Sequence, residues 1–180
     1  MTIGKRFESE TSWPARCVRS ERPRRQGESI VSLFPLVSFE SIELSDANQC
    51  LKNWGHSIGP ISRPMRGSVI SGGGDTSHAL YHCGRPVGVV VTSTLIRENV
   101  AGHPELNRNN TCELSRLCAA RKDLCRVVLR LWREFVFTAI SDRFPFAISY
   151  QDANQHTGNV YRFDGWRQIG AGRSGPDRRS

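Results

Sequence analysis

The sequence predicts a single two-layer α/β domain, a mixed central sheet flanked by helices. Two apolar runs rich in β-branched and aromatic residues, Val89-Val90-Val91-Thr92 and Phe146-Ala147-Ile148-Ser149-Tyr150, read as buried strands. Between them, apolar residues recur at helical spacing from Leu124 to Ala139. The chain has 180 residues, 38% of them hydrophobic, which is one domain's length with enough apolar material for a core.

The elements follow in order. Residues 1–27 are rich in Arg, Glu, Ser and Pro, and Glu21 to Gly27 has no apolar period, so they read as a flexible arm. Structure is expected from Ser29, with Ile30, Val31, Leu33 and Phe34 as a strand. Ser45 or Asp46 caps a short helix to about Trp54, with Ala47, Cys50, Leu51 and Trp54 on one face, and Gly55 stops it. Ile58 to Asp75 is a loop. Its tip, Ser71-Gly72-Gly73-Gly74-Asp75, reads as a turn rather than a phosphate cradle because no helix follows it. His78–Cys83 and Val87–Thr94 form a hairpin about Gly84-Arg85. Arg97–Asn110 is polar and reads as a loop, and Thr111–Cys118 as a strand.

Asp123 caps a long helix whose inward stripe is Leu124, Val127, Val128, Leu131, Phe135 and Ala139. Arg126, Arg130 and Arg133 make its basic flank. Pro145 ends that pattern ahead of the strand Phe146–Tyr150. A short helix within Asn154–Gly165 and a strand over Trp166–Ile169 complete the domain, 28–170. Residues 171–180 read as a basic, flexible tail.

The formal charge of +8 is concentrated. Residues 1–28, 119–134 and 173–180 account for all of it, and every basic residue except Lys5, Lys52 and Lys122 is arginine. The guanidinium fork matches phosphate oxygens two at a time, so the charge map points to nucleic acid, with a solvated surface as the plain alternative. No apolar run approaches the roughly 18 residues of a membrane span. No basic region followed by an apolar run opens the chain, so an intracellular protein is expected. The six cysteines form no C-x-x-C pair, which argues against a zinc framework and for free thiols.

Two segments carry the candidate chemistry. In Cys112-Glu113-Leu114-Ser115-Arg116-Leu117-Cys118, strand alternation puts Glu113 and Ser115 on one face and Leu114 and Arg116 on the other. A half-buried Arg116 needs an acidic or phosphate partner. In the second, Ile148 to Tyr161, a buried strand runs into Asp152, His156, Gly158 and Tyr161, and carboxyl ends of strands are where α/β sheets bind ligands. Asp152 and His156 suit proton exchange or substrate contact; helix cap and surface residue are the plain alternatives. His78 and His82, about 13 Å apart along a strand, cannot share one metal ion.

Glu113-Leu114-Ser115-Arg116-Leu117, the long helix, Ile148-Ser149-Tyr150-x-Asp152, His156-x-Gly158 and Tyr161 resemble the Mom proteins of Mu-like bacteriophages. Asp46-Ala47 through Trp54-Gly55-His56, and Trp166 followed by Gly170, fit the same pattern, over roughly residues 30–170. The resemblance implies a fold like the GNAT acetyltransferases. It implies an enzyme of the host cytoplasm that converts adenine in double-stranded DNA to N6-(carbamoylmethyl)adenine and so protects viral DNA from restriction nucleases. It suggests Arg116, Asp152, Ser115 and Tyr161 as catalytic, and Tyr150, His156, His56, Arg121, Lys122 and Arg126 as substrate-binding. Asp152 would accept an amine proton and Arg116 would bind the donor's anion or orient Asp152.

The chain departs from the family in two places. His56-Ser57 stands where the family often has His-Tyr. The turn Ala119–Asp123 lacks the glycines that hold an acyl-CoA pyrophosphate in typical GNAT enzymes, which leaves the donor unassigned. An iron-dependent step would draw on His56, His78, His82 and His156. The alternatives are a GNAT-type N-acyltransferase on a small amine or protein, and a non-catalytic DNA-binding protein. If Arg16, Arg19, Arg22, Arg24 and Arg25 of the arm follow DNA phosphates, removing residues 1–27 weakens binding and leaves the fold intact. The slope of log affinity on log salt should fall by about 0.9 per lost contact, and an unchanged slope would show that the arm touches no phosphate.

Overall fold

The computed structural model describes residues 37–62, 68–70, 74–152 and 157–170, together with the backbone of 2–6. The expected strand at 30–34, the glycines at 72–73, His156 and the tail 171–180 lie outside the described residues. Strands β1 (Thr2–Arg6), β2 (Val37–Ile42), β3 (Asp75–His82) and β4 (Arg85–Thr94) are followed by β5 (Asn99–Val100), β6 (His103–Asn107), β7 (Thr111–Ala119), β8 (Phe146–Tyr150) and β9 (Arg167–Gly170). Helix α1 (Leu44–Asn53) follows β2. Helix α2 (Leu124–Leu131) runs through a π turn (Trp132–Phe137) into α3 (Thr138–Ile140), and α4 (Asn159–Arg162) precedes β9. The α/β class and the mixed central sheet are as the sequence predicts. No helix among the described residues is long and apolar enough to cross a membrane.

The main sheet has the strand order β2-β3-β4-β7-β8-β1-β9, and among the described residues only β7 and β8 run parallel. One face packs on α2 and the π turn through Leu80, Val90, Cys112, Leu114, Val128, Leu129 and Trp132. The other face carries two smaller clusters. Ala79, Val89 and Cys118 pack on Cys50 and Leu51 of α1, while Ile148 packs on Leu95, Val100 and Leu106 beneath the β5–β6 hairpin.

Five expectations need correction. Thr2–Arg6 pairs along β8 from Thr2↔Tyr150 to Arg6↔Phe146, so these residues belong to the sheet and not to an arm. Removing residues 1–27 would take that strand away, and the arm is better tested by substituting its arginines. The hairpin turn is Cys83-Gly84, not Gly84-Arg85: both have positive φ (50° and 74°), as a two-residue turn between His82 and Arg85 requires. Residues 97–110 hold the β5–β6 hairpin. The side chain of Asn110 fixes it, accepting from the Asn107 amide at 2.8 Å and donating to the Glu105 carbonyl at 2.8 Å.

Asp123 has helical angles and makes no capping bond, because Arg121 grips its carboxylate at 2.7 and 3.1 Å. The long helix is rotated from the expected stripe: Val128, Leu129, Trp132, Val136, Phe137 and Ile140 face inward, while Val127 and Phe135 are exposed. Trp132 sets the rotation. Its indole is fully buried and donates to Thr92 Oγ1 at 2.7 Å, and the π turn then inserts an extra residue that shifts the helical phase.

Gly88 on β4 lets α2 sit this close. A Cβ there would lie 2.4 Å from Val128 Cγ2. Gly88→Ala should therefore cost about 1–3 kcal/mol in denaturant unfolding. In a Val128→Ala background it should cost much less, because the clashing atom is gone.

Candidate functional site

The site begins where two strands part. Parallel β7 and β8 pair at Thr111↔Phe146, Cys112↔Ala147 and Glu113↔Ile148. Past that point β7 continues beside β4 alone, as far as Gly88↔Ala119. A cavity of about 370 Å³ opens at the parted carboxyl ends. Its volume falls within the range of sites that hold one small molecule or base. Tyr150, Ser149 and Tyr161 line it, the first two from neighbouring positions of β8 and the third from α4.

A bulge in β7 aims the polar side chains. Val91 pairs with Arg116 while Thr92 pairs with Leu114, leaving Ser115 as the extra residue. Leu114 and Leu117 thus pack on the same face, toward α2, and Cys118 on the other. The expectation that Leu114 and Arg116 share a face is overturned: the bulge turns Arg116 to the α1 side with Glu113.

The structure gathers six of the expected residues around the cavity: His56, Ser115, Lys122, Tyr150, Asp152 and Tyr161. Arg116 is not among its lining. Its Nε donates to the Gly59 carbonyl at 2.9 Å and its Nη1 to the Ser115 carbonyl at 2.7 Å. It therefore ties the loop after α1, which carries His56 to the cavity, onto β7. Arg121 is held by Asp123, and Arg126 lies over the Phe163 ring at 5.5 Å, both outside the lining. Gln151 and Thr157 of the wall fall within the candidate segment Ile148 to Tyr161, whereas nothing in the sequence marks Cys125. Ser149 lies inside the motif strand, where the run Ile148 to Asp152 was its signal.

Buried hydrogen bonds fix the cavity floor. Ser149 Oγ donates to the Leu114 carbonyl at 2.9 Å, so the hydroxyl of Tyr161, 2.9 Å away, donates to Ser149. A serine has one proton to give, and the order follows from that. Burial raises Tyr161 to about 12, and it is a neutral phenol whose proton points at Ser149. Burial, the Cys118 thiol and Asp123 together raise the Cys125 thiol to about 11, which leaves it protonated and a poor nucleophile. On the α1 side, burial pushes the Glu113 carboxyl up; the Arg116 cation opposes this and the Asp75 charge adds to it.

Gly158 begins α4 at φ 76°, and a Cβ there would meet Gln151 Oε1 at 3.0 Å, so glycine is required on both counts.

Of the residues named for iron, the described ones, His56, His78 and His82, do not converge, and His156 lies outside the described residues. His78 stacks on Phe39 at 5.6 Å and burial lowers its pKa; His82 sits at the hairpin end beside Cys83; His56 is at the cavity. No three His, Cys, Asp or Glu among the described residues are grouped to hold a metal ion. Among protein-family models, curated proteins and solved structures, none matches the chain significantly.

Tyr161 gives a pH test of the floor. An ordinary phenol titrates at 10.0, and this one is raised to about 12 in the folded chain. The buried phenol's stabilisation is thus complete below pH about 10 and is lost as pH rises toward 12. Tyr161→Phe should flatten the alkaline limb of the stability curve in that window, measured by denaturation at stepped pH.

Proposed function

We propose that the chain is a transferase that modifies the exocyclic amine of adenine in double-stranded DNA. The product implied by the Mom resemblance is N6-(carbamoylmethyl)adenine. One observation carries the reading. The segments on which the resemblance rests meet at one cavity: Ser115 from the first motif, Ser149, Tyr150 and Asp152 from the second, Gly158 and Tyr161 beyond it, and His56 from the end of α1.

The chemistry follows from those groups. An adenine amine in a duplex is engaged in pairing, so the base is turned out of the stack to reach a cavity of this kind. Its nitrogen is a weak nucleophile and must shed a proton as it bonds to the incoming group. Asp152, half-buried in the wall, accepts a hydrogen bond from the amine and orients it. Lys122, also in the wall and exposed to solvent, supplies positive charge for a phosphate. Arg116 acts as a positioning residue through the loop that it ties down.

The reading as an acyl-CoA-type transferase has less support. The Leu124 and Cys125 amides at the start of α2 already bond to the Arg121 and Lys122 carbonyls at 3.1 and 3.3 Å. They are not free for a pyrophosphate, and the donor of the transferred group stays unassigned.

Mass analysis of nucleosides from DNA of cells expressing the protein tests the proposal. A heavier adenine nucleoside is expected, reduced about 100-fold or more by Asp152→Ala, which misplaces the amine. Unmodified adenine in cells holding soluble protein would overturn it.

A further inference from the structure

A row of polar side chains crosses the buried sheet on its α1 side. Asp75 on β3 is in register with Ser93 on β4, and Ser93 with Glu113 on β7. Ser93 is buried. Its hydroxyl donates to Asp75 Oδ1, and its oxygen lies 2.9 Å from Ser115 Oγ. Because the one Ser93 proton goes to Asp75, only the Ser115 hydroxyl can donate between the two serines, and it does so when it turns to Ser93 from the Val91 carbonyl, which it also reaches at 3.1 Å. With the Ser115 hydroxyl turned to Ser93, the hydrogens of the row point one way, from Ser115 through Ser93 to Asp75.

The two ends open on different spaces. Ser115 lines the cavity between β7 and β8. Asp75 lines a second cavity of about 320 Å³ at the start of α1, with Glu43, Ser68 and Ser77. The Ser77 oxygen in its wall is buried without a hydrogen-bond partner, so this space has an unmet capacity for water. The charged groups facing the row are Glu113 and Arg116 on β7, and Glu43 at the second cavity.

We infer that Ser115, Ser93 and Asp75 form a proton wire that takes a proton from an amine in the first cavity and delivers it to the second. The inference rests on the function proposed above in naming that amine as adenine's. The donor is an electrophile whose transferred carbon carries a leaving group. As the nitrogen's electron pair forms the new bond to that carbon, the bond to the leaving group breaks and its electron pair departs with that group, while one N–H bond breaks and its electrons stay on nitrogen. The proton goes to Ser115 Oγ. Ser115 passes its own hydrogen to Ser93, and Ser93 passes its own to Asp75. One proton leaves the amine, one arrives on the carboxylate, and both serines end neutral. Asp75 then releases the proton to water in the second cavity. Asp152 holds the other amine hydrogen. Ser115 touches the substrate; Ser93 and Asp75 act through it.

Two measurements on the full chain decide the matter. In the modification assay, Ser93→Ala and Asp75→Asn should each lower kcat about 100-fold with KM little changed, and Ser93→Thr, which keeps the hydroxyl, should restore most of it. Unchanged kcat in soluble Ser93→Ala protein would overturn the wire. The second measurement needs no activity. The Ser93 hydroxyl hydrogen, bonded to a carboxylate, should give a downfield proton resonance that Asp75→Asn abolishes and Ser115→Ala moves upfield, because linked hydrogen bonds polarise one another. If the wild-type protein modifies no DNA, the adenine reading fails. The wire then stands for a different amine if Ser115→Ala moves the resonance, and falls if it does not.

Discussion

The architecture depends on β8 following β7 for three residues and no further. β7 is bound to β4 along its length, and the bulge at Ser115 bends it just past Glu113↔Ile148, where the parallel pairing ends. Parting two strands inside a core leaves backbone groups that must find other partners. The Leu114 carbonyl finds the Ser149 hydroxyl, and Tyr161 completes the set from α4. The same three residues that satisfy the parted backbone thus shape the cavity floor. A hydroxyl at 149 and a phenol at 161 are structural requirements of the opening before they are chemical ones.

The opposite face shows a second consequence. The clusters under α1 and under the β5–β6 hairpin do not meet, and Asp75, Ser93, Glu113 and Arg116 lie between them. Leaving any of these groups unsatisfied in the sheet would cost about 1–3 kcal/mol, and an apolar row would pack there without that risk. Ser93 and Arg116 are instead tied to named partners. Where a core keeps a polar row that folding alone does not require, function is the usual reason.

Much of the fold was legible in the sequence. The strand at 146–150, the strand from Thr111 and the body of α1 follow from β-branched runs and helical spacing, which are local signals; the start of α1 does not, since Glu43 is its N-cap and Ser45 and Asp46, the expected caps, lie inside the helix. The errors share a cause: each depended on something a periodic pattern does not contain. The phase of the long helix escapes a 3.6-residue count because Trp132 takes the buried position opposite Thr92 and a π turn adds a residue, and neither leaves a mark in that count. Strand alternation alone puts Arg116 on the opposite face, because a bulge is one unpaired residue set by its neighbour strand. β1 is hidden in the sequence because a five-residue strand with Lys5 and Arg6 has little apolar signal; its partners Ala147 and Ile148 lie over 140 positions away. The site was half legible: the motif segments pointed to the parted ends of the parallel strands, while Cys125 is present through tertiary placement alone.

Charge is where composition overstates the surface most. The segment 119–134 counts as +3 in the sequence, yet its cations are unequally available. Arg133 and Arg130 both reach Asp164, whose carboxylate is almost wholly buried, at 2.8 and 3.3 Å. That contact anchors the turn after α4 to the long helix, and Arg133 is itself largely covered. Arg121 is committed to Asp123, although this pair is exposed and a phosphate can compete for it at little cost. Arg126 is spread over Phe163 with its fork still in solvent. Lys122 lies in the cavity wall itself. The basic flank therefore narrows to Lys122, Arg126 and the exchangeable Arg121, all within the first turn of α2 and the loop before it. A duplex held there would bring its phosphates to the end of the sheet where β7 and β8 part, which a uniformly basic helix would not achieve.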